Sequence, residues 1–443
     1  MIRRFGTILS AVLWLIIYTA VTGFSQQGTN VTVTLDGAIS YAMEHNRDIQ
    51  IAQEDLNKAD QQVREAKSGV FPQIHFSSLY TRSIQKPAFF INFGGEIRKM
   101  EMGMSNAVQS SISANQLLYS SGQVGAAIQI AKLYSSSFVY SVEQTEKNVK
   151  LQVRQSFLAV LLTQEMLRVA NRSLSLAERH YAQVQILLSR GAASDFDLLR
   201  AEVQAANARP MVLSLENNVL LRKNVLKNII GMPLGQEIEL QGELSPQFIE
   251  ETNVKQTAAQ AFSQRSDYKN ISLIRDAMEY RIKIERGSAL PMVSFGYTYQ
   301  FNGQSESFSF GSHNLVNSQN AALTISFPIF DGGKSSARIQ QVKIDVQKMD
   351  YQLIKMKEAI EVQATQAWNM MSDAHKRMDA LEKTVGQAEK AYSIAQVRYE
   401  SGQGTQLELF DAQVALETAQ FNRLQSIFDY ESARALWENA IGN

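Results

Sequence analysis

Two stretches in the second half of the chain alternate strictly between apolar and small or polar positions. Residues 291–301 place Val293, Phe295, Tyr297, Tyr299 and Phe301 on one side of an extended chain, with Ser294, Gly296, Thr298 and Gln300 on the other. After a polar loop, residues 320–330 repeat the pattern, with Ala321, Leu323, Ile325, Phe327 and Ile329 against Ala322, Thr324 and Ser326. This period predicts a pair of strands at about 292–301 and 320–330. Aromatic and aliphatic side chains on one face, small polar ones on the other, fit an outer-membrane β-barrel segment. Val293, Phe295, Tyr297, Leu323, Ile325 and Phe327 would then face lipid. The same alternation fits a half-buried hairpin of a soluble sheet, so the rest of the chain has to decide.

Elsewhere the period is helical. Residues 35–70 and 254–289 are amphipathic and stop at Pro72 and Pro291, because the residue before a proline is pushed out of helical geometry. Between 126 and 190 there are 65 residues with neither glycine nor proline, roughly 98 Å of helix at about 1.5 Å per residue. A second such run, 334–401, is interrupted only by Gly386. Both end in a short glycine-bearing turn, 191–194 or 402–405. There Gly191 and Gly402 permit reversal, and Ser194 and Thr405 can cap the returning helix. The return helices carry heptads: Leu198, Ala201, Ala205, Ala208, Val212, Leu215 and Val219 in the first, Leu409, Ala412, Leu416 and Ala419 in the second. A sustained 3.5-residue repeat predicts helices supercoiled around neighbours. Pro210 is expected to kink the first return helix; its counterpart Phe421 has no such effect.

The mature chain is thus written twice. Residues 191–202 align with 402–413 at an offset of 211, and the same offset carries 119–122 onto 330–333 and Gly231 onto Gly442. Earlier in each half the offset becomes 219, with Phe71-Pro72 falling on Leu290-Pro291, so the difference lies in the loop between paired strands. The first-half strands, expected at about 73–82 and 107–118, carry Ile74, Phe76, Ser78 and Tyr80, then Ile112, Ala114 and Leu118. Loops 83–105 and 302–319 are polar and differ between halves. The organisation read from this is a first repeat at 26–240, a linker at 241–253 and a second repeat at 254–443.

Composition narrows the field further. In 443 residues, 43 basic side chains balance 43 acidic ones, so nothing points to nucleic acid. Absence of cysteine excludes disulfides, thiolate metal sites, cysteine nucleophiles and an acylated N-terminal cysteine. Residues 1–25, with Arg3 and Arg4, an apolar run at 8–21 and small residues Gly23 and Ser25, read as a secretory signal peptide. An uncleaved anchor is the alternative, but the run is short for a span of about 20 residues. No other run approaches transmembrane-helix length, so membrane integration would need strands. No G-x-S-x-G, phosphate loop or dinucleotide fingerprint occurs. His45, His75, His180, His313 and His375 are scattered, with none spaced as metal ligands. Met100, Met102 and Met104 alternate in the first outer loop, and thioethers suit Cu(I); apolar packing is the plainer reading there. No catalytic residue, cofactor or metal is expected.

Four strands cannot close a barrel, and an open edge in lipid leaves backbone groups unpaired. The missing strands would come from further copies. Two copies give eight strands and a filled interior, three give twelve and room for passage. The small polar inner face favours three. With this plan the whole mature chain resembles the TolC-like family of outer-membrane efflux proteins. Locally the resemblance rests on Arg398-Tyr399-x-x-Gly402-x-x-Thr405, its weaker copy Gly191-x-x-Ser194, and Gly231-Met-Pro-Leu234 closing the first half.

The resemblance implies an α+β membrane protein, a homotrimer whose twelve-stranded β-barrel continues into a periplasmic helical coiled-coil barrel. It would be the exit duct of a tripartite efflux or type I secretion system, fed by an inner-membrane pump through a periplasmic adaptor. It implies a closed tip in which Asp197 supplies an acid and Tyr399 a tyrosine, while Gly404 stands where a basic residue is usual. Arg190 and Arg398 are nearby substitutes. Glu408 and Asp411 match acids ringing the lumen, and the turn residues Gly191, Ser194, Gly402 and Thr405 match the surface that docks the adaptor. Without the resemblance, these acids would read as the solvated face of a coiled coil. A periplasmic coiled-coil interaction protein with a soluble sheet is the other reading.

Overall fold

The computed structural model describes residues 31–249, 261–308, 310 and 315–442. The expected signal peptide at 1–25 lies outside the described residues, as does the start of the helix expected from 254. Among the described residues no helix is long and apolar enough to cross a membrane, which bears on helices only.

In chain order the elements are β1 (Val31–Val33), α1 (Leu35–His45), α2 (Arg47–Ser68), β2 (Gln73–Arg82), β3 (Ala88–Phe93), β4 (Glu96–Glu101) and β5 (Asn106–Tyr119). Helices α3 (Gln123–Ser189) and α4 (Asp195–Ile230) follow, then β6 (Ile238–Leu240), α5 (Ser266–Gly287), β7 (Met292–Ser305), β8 (Leu315–Ser326), α6 (Lys334–Glu400) and α7 (Gln406–Ala440). Two compact units are formed, each from several segments. One takes the chain up to Arg47, Asn148–Glu251 and Gln366–Asn439; the other takes Asp48–Lys147, Thr252–Thr365 and Ala440–Asn443.

The second unit holds a four-stranded antiparallel sheet in the order β2-β5-β7-β8. Its register gathers the apolar positions on one face. Phe76 lies opposite Ile112, Ile112 opposite Tyr299, Phe295 opposite Leu323 and Val293 opposite Ile325. The other face carries Ser77 opposite Ser111, Ser113 opposite Thr298 and Gly296 opposite Ala322. Ser78 and Ser110 interrupt the apolar face but bond each other at 2.8 Å, as Ser77 and Ser111 do at 2.9 Å on the opposite side. A hydroxyl pair of this kind satisfies two polar groups without water.

Strand β8 begins at Leu315 and ends at Ser326, not at the expected 320–330. Pro328 has no N–H to give a ladder, and Asp331 already accepts from the Gly333 and Ser335 amides at 3.0 and 2.8 Å to start α6. Phe327 and Ile329 therefore follow the strand rather than lie in it. Residues 83–105, expected as a polar loop, contain the antiparallel hairpin β3–β4, turned by Gly94 and Gly95 at φ 65° and 99°. The stretch 231–252 contributes β6, which pairs in parallel with β1 in the first unit.

The helical run expected at 35–70 breaks at Asn46, whose backbone is extended. Thr34 caps α1, its hydroxyl accepting from the Gly37 amide at 3.1 Å. Helix α3 is continuous for 67 residues, and so is α6, with Gly386 inside it. Pro210 lies inside α4 without ending it. The heptad reading matches burial: Ala201, Ala205, Val212, Leu215, Leu409 and Ala419 are all buried.

Element bounds recur at the offset seen in sequence. Adding 211 to the ends of α3 gives those of α6, and adding it to Asp195 gives Gln406. Gly191 and Gly402 have φ 71° and 74°, and Gly231 and Gly442 have 79° and 91°. Even a long-range contact repeats. Asn46 donates its side-chain amide to the Ile229 carbonyl at 2.6 Å, and Arg265, 219 residues on, donates to the Ala440 carbonyl at 3.3 Å, 211 residues on.

Candidate functional site

Two places in the chain could act: the sheet in one unit, and the pair of turns joining α3 to α4 and α6 to α7 in the other. On the sheet, Phe295, Tyr297, Leu323, Ile325 and Phe327 are all exposed, Leu323 and Ile325 at 64% each, while Val293 is half-buried. Exposed apolar side chains of this size, ordered along a sheet face, need a partner other than water. The outer strands β2 and β8 pair on one side only, so the sheet presents two free edges among the described residues.

At the first turn α3 ends at Ser189 and the Gly191 amide donates to the Leu188 carbonyl at 2.9 Å, while Ala192 donates to Leu187 at 2.8 Å. Ser194 then caps α4. Its hydroxyl accepts from the Asp197 amide at 3.2 Å, and the Asp197 carboxylate accepts from the Ser194 amide and hydroxyl at 3.1 and 2.7 Å. This is a reciprocal capping box. These bonds hold the Asp197 carboxyl below the usual carboxylate range.

At the second turn Gly402 donates to the Tyr399 carbonyl at 3.0 Å, and Thr405 accepts from the Glu408 amide at 3.2 Å. Gly404 packs against the Arg398 and Tyr399 backbone, where a Cβ would come within 3.1 Å, and donates to the Arg398 carbonyl at 2.9 Å. The place resembling a basic position is thus filled by a backbone approach. Arg398 reaches Glu408 at 3.7 Å and the Gln403 carbonyl at 3.3 Å, both within its own turn. It does not reach Asp197.

Among the described residues no hydrogen bond joins Asp197 to Tyr399. The half-buried Tyr399 phenol is pushed up by burial first and by the Asp197 charge second, so the two share one neighbourhood. Glu408 and Asp411 are both exposed and lie one turn apart on α7.

His180 and Gln406, which the sequence does not mark as a pair, join the two turns. His180 of α3 is buried, with ring centroids 4.9 Å from Tyr399 and 5.2 Å from Phe410. The Gln406 side-chain amide, also buried, lies 3.0 Å from His180 Nε2 and donates to the Asp197 carbonyl at 3.2 Å. A usable signal existed: His180 continues the buried seam of Ala170, Ala177 and Val184 at spacings of three and four.

Farther along α3, α6 and α7 a groove is lined by Glu165, Arg168, Glu382 and Arg423, which pair as Arg168–Glu165 and Arg423–Glu382. Among the described residues no cluster of His, Asp and Glu could hold a metal ion. Met100 lies opposite Phe89 in the hairpin β3–β4, and Met100, Met102 and Met104 are exposed.

Comparison with known proteins agrees with this architecture. A family model described as outer membrane efflux protein matches residues 38–232 and 257–443. The outer membrane efflux protein BepC of Brucella suis is 21% identical over 413 residues, covering 92% of this chain and 85% of its own. The alkaline protease secretion protein AprF of Pseudomonas aeruginosa is 22% identical, covering 64% of this chain and 59% of its own. The solved CmeC outer membrane channel of Campylobacter jejuni superposes with a TM-score of 0.75 at 17% identity, covering 92% of this chain and 85% of that one.

Proposed function

The chain belongs to the outer membrane efflux protein family, and from that premise we propose that three copies form a passive exit duct gated at the turns. Its place is the outer membrane. The observation that carries this reading is the sheet with two free edges and one apolar face. Each unpaired backbone group facing lipid would cost several kcal/mol, so the edges must meet edges of other copies. Because directions alternate from β2 to β8, the β8 of one copy fits antiparallel beside the β2 of the next. Three copies make twelve strands, enough for a wet lumen lined by Ser, Thr, Asn and Gly. The α+β fold would then be an internally duplicated protomer whose long helices wall a coiled-coil barrel in the periplasm.

In this duct the chain performs no chemistry. Energy comes from an inner-membrane pump, and a periplasmic adaptor docks on the turns at Gly191, Ser194, Gly402 and Thr405. Asp197 and Tyr399 belong to the gate, and three copies each of Glu408 and Asp411 attract cations to the constriction. Relatives named for efflux and for protease secretion are both compatible with such a duct.

Bilayer recording of the purified protein tests the reading. Asp197→Ala with Tyr399→Ala should raise conductance severalfold; unchanged conductance removes them from the gate. Phe295→Asp and Ile325→Asp should each block insertion into outer membranes, and normal insertion of both would contradict the lipid-facing assignment.

A further inference from the structure

Helix α3 presents Ala170, Ser173, Ala177, His180 and Val184 along one seam, and two of these five are polar. Helix α7 answers with Gln406 and Gln413, seven residues apart like Ser173 and His180. The two helices meet in two rungs. Gln413 donates its amide to the Ser173 carbonyl and hydroxyl at 3.1 Å each, and the Ser173 hydroxyl donates to the Glu417 carboxylate at 2.8 Å. Gln406 spans from His180 Nε2 at 3.0 Å to the Asp197 carbonyl at 3.2 Å. The second rung therefore ties the first hairpin, through both its helices, to the first residue of α7. Polar residues at seam positions fix the register of packed helices at some cost in stability.

Chemistry sets a direction on that rung. The Gln406 amide nitrogen has two protons and aims them at two acceptors, so His180 Nε2 must carry a lone pair. The ring is then neutral, with its proton on Nδ1. Gln406 Oε1 is buried without a partner. Turning the amide over to accept from a protonated imidazole would press that oxygen against the Asp197 carbonyl, so the charged ring has no good arrangement here.

We infer that His180 and Gln406 lock the two tip hairpins together within one chain, and that the lock holds only while His180 is uncharged. The inference rests on the reading of the tip as the gate. Among the described residues no carboxylate forms an ion pair with the ring. From α6 comes the Tyr399 phenol. From α4 comes Asp197, whose carboxylate is committed to Ser194. On α7, Phe410 is uncharged and the exposed Glu408 pairs with Arg398. On α3 itself, Glu178 pairs with Arg209 and Arg179 donates to the Ser175 carbonyl.

Burial alone lowers the proton affinity of His180. The locked form thus binds fewer protons than a released form, in which a solvated ring has a value near 6.5. The lock is intact above that value, weakens below it and is lost as pH falls through the lowered value of the buried ring.

The test uses full-length channel in planar bilayers at about pH 7.5 and about pH 5.5, either side of the ordinary histidine value. Wild-type conductance should rise severalfold and reversibly on acidification. His180→Gln, which stays neutral and polar, should lose that response. Retention of the wild-type response by His180→Gln, or no response in wild type, overturns the inference. As the chain has no cysteine, His180→Cys with Gln406→Cys can be joined by a short bifunctional maleimide. The joined channel should stay closed in acid, and a joined channel that opens as wild type does would also overturn the lock. The two readings fail separately. If the Asp197 and Tyr399 double variant conducts more at about pH 7.5 while the acid response ignores His180, the gate stands and the lock falls. If that variant conducts as wild type does, the gate reading falls instead.

Discussion

The two tip turns stand 211 residues apart and share a frame: a glycine at φ 71° or 74°, a hydroxyl cap three residues on, and an acid at the third position of the return helix. Their chemistry diverges at that acid. Asp197 bends back onto Ser194 and closes the first turn on itself. Glu408, its counterpart, leaves Thr405 with one bond and goes to Arg398. The residue after the cap diverges too: Asp195 is exposed, whereas Gln406 is buried against the other hairpin. Nor is the contact reciprocated, since Ala391 occupies the place equivalent to His180. One hairpin is self-contained and the other is tethered to it. A repeated frame therefore fixes where the turns are, and the side chains of Asp197, His180 and Gln406 set how each is held.

The strongest way to break the comparison is to exchange features of the return helices. Pro210 sits inside α4 at an exposed position, and Phe421, at the same place in α7, packs against Ala170, Val212 and Leu215. Phe421→Pro should cost about 3 kcal/mol or more, losing a backbone bond and an aromatic contact together. Pro210→Ala should instead raise stability modestly, because α4 already accommodates the ring. Denaturant unfolding of the detergent-solubilised protein reads both, and equal costs would mean the two return helices are supported alike.

Next in size is a pair of glycines. A Cβ on Gly231 would stand 2.3 Å from the His45 carbonyl oxygen, whereas on Gly442 the nearest atom is the Gln264 Cβ at 3.5 Å. Both have left-handed backbones, which cost a side chain about 1–2 kcal/mol. Gly442→Ala should lose no more than that. Gly231→Ala should lose clearly more in the same unfolding experiment, as the α1–α4 contact has to open. Matching losses would show that the first junction yields as easily as the second.

Much of this was legible in the chain. The 211-residue offset located both turns, both glycines and both caps, because caps and left-handed positions depend on single residue types. Alternation located the sheet and its apolar face. It failed at the end of β8, where Phe327 and Ile329 keep the hydrophobic rhythm after Pro328 has ended the ladder. The hairpin at 88–101 carries a different signal, Gly94-Gly95 between two six-residue runs. At the tip, resemblance points to Asp197 and Tyr399, while His180 stands as an isolated histidine in the sequence. Its role depends on the Gln406 amide 226 residues away, and no local pattern carries a contact of that kind.

The smallest effect separates the caps themselves. Removing a hydroxyl N-cap costs about 1 kcal/mol on average. Ser194→Ala should reach that figure, since it strips the hydroxyl that the Asp197 amide and carboxylate both engage. Thr405→Ala should cost about half as much, because only the Glu408 amide is left without its bond. The pH dependence sharpens the contrast. The bonds from Ser194 depress the Asp197 carboxyl, so their stabilisation is present above the usual carboxylate range and is lost as pH falls through the lowered value. The gap between wild type and Ser194→Ala should therefore narrow in acid, while the gap for Thr405→Ala, which rests on a hydroxyl and an amide, should not. If both gaps narrow together, the two caps are equivalent and the first hairpin owes its independence to something other than its acid.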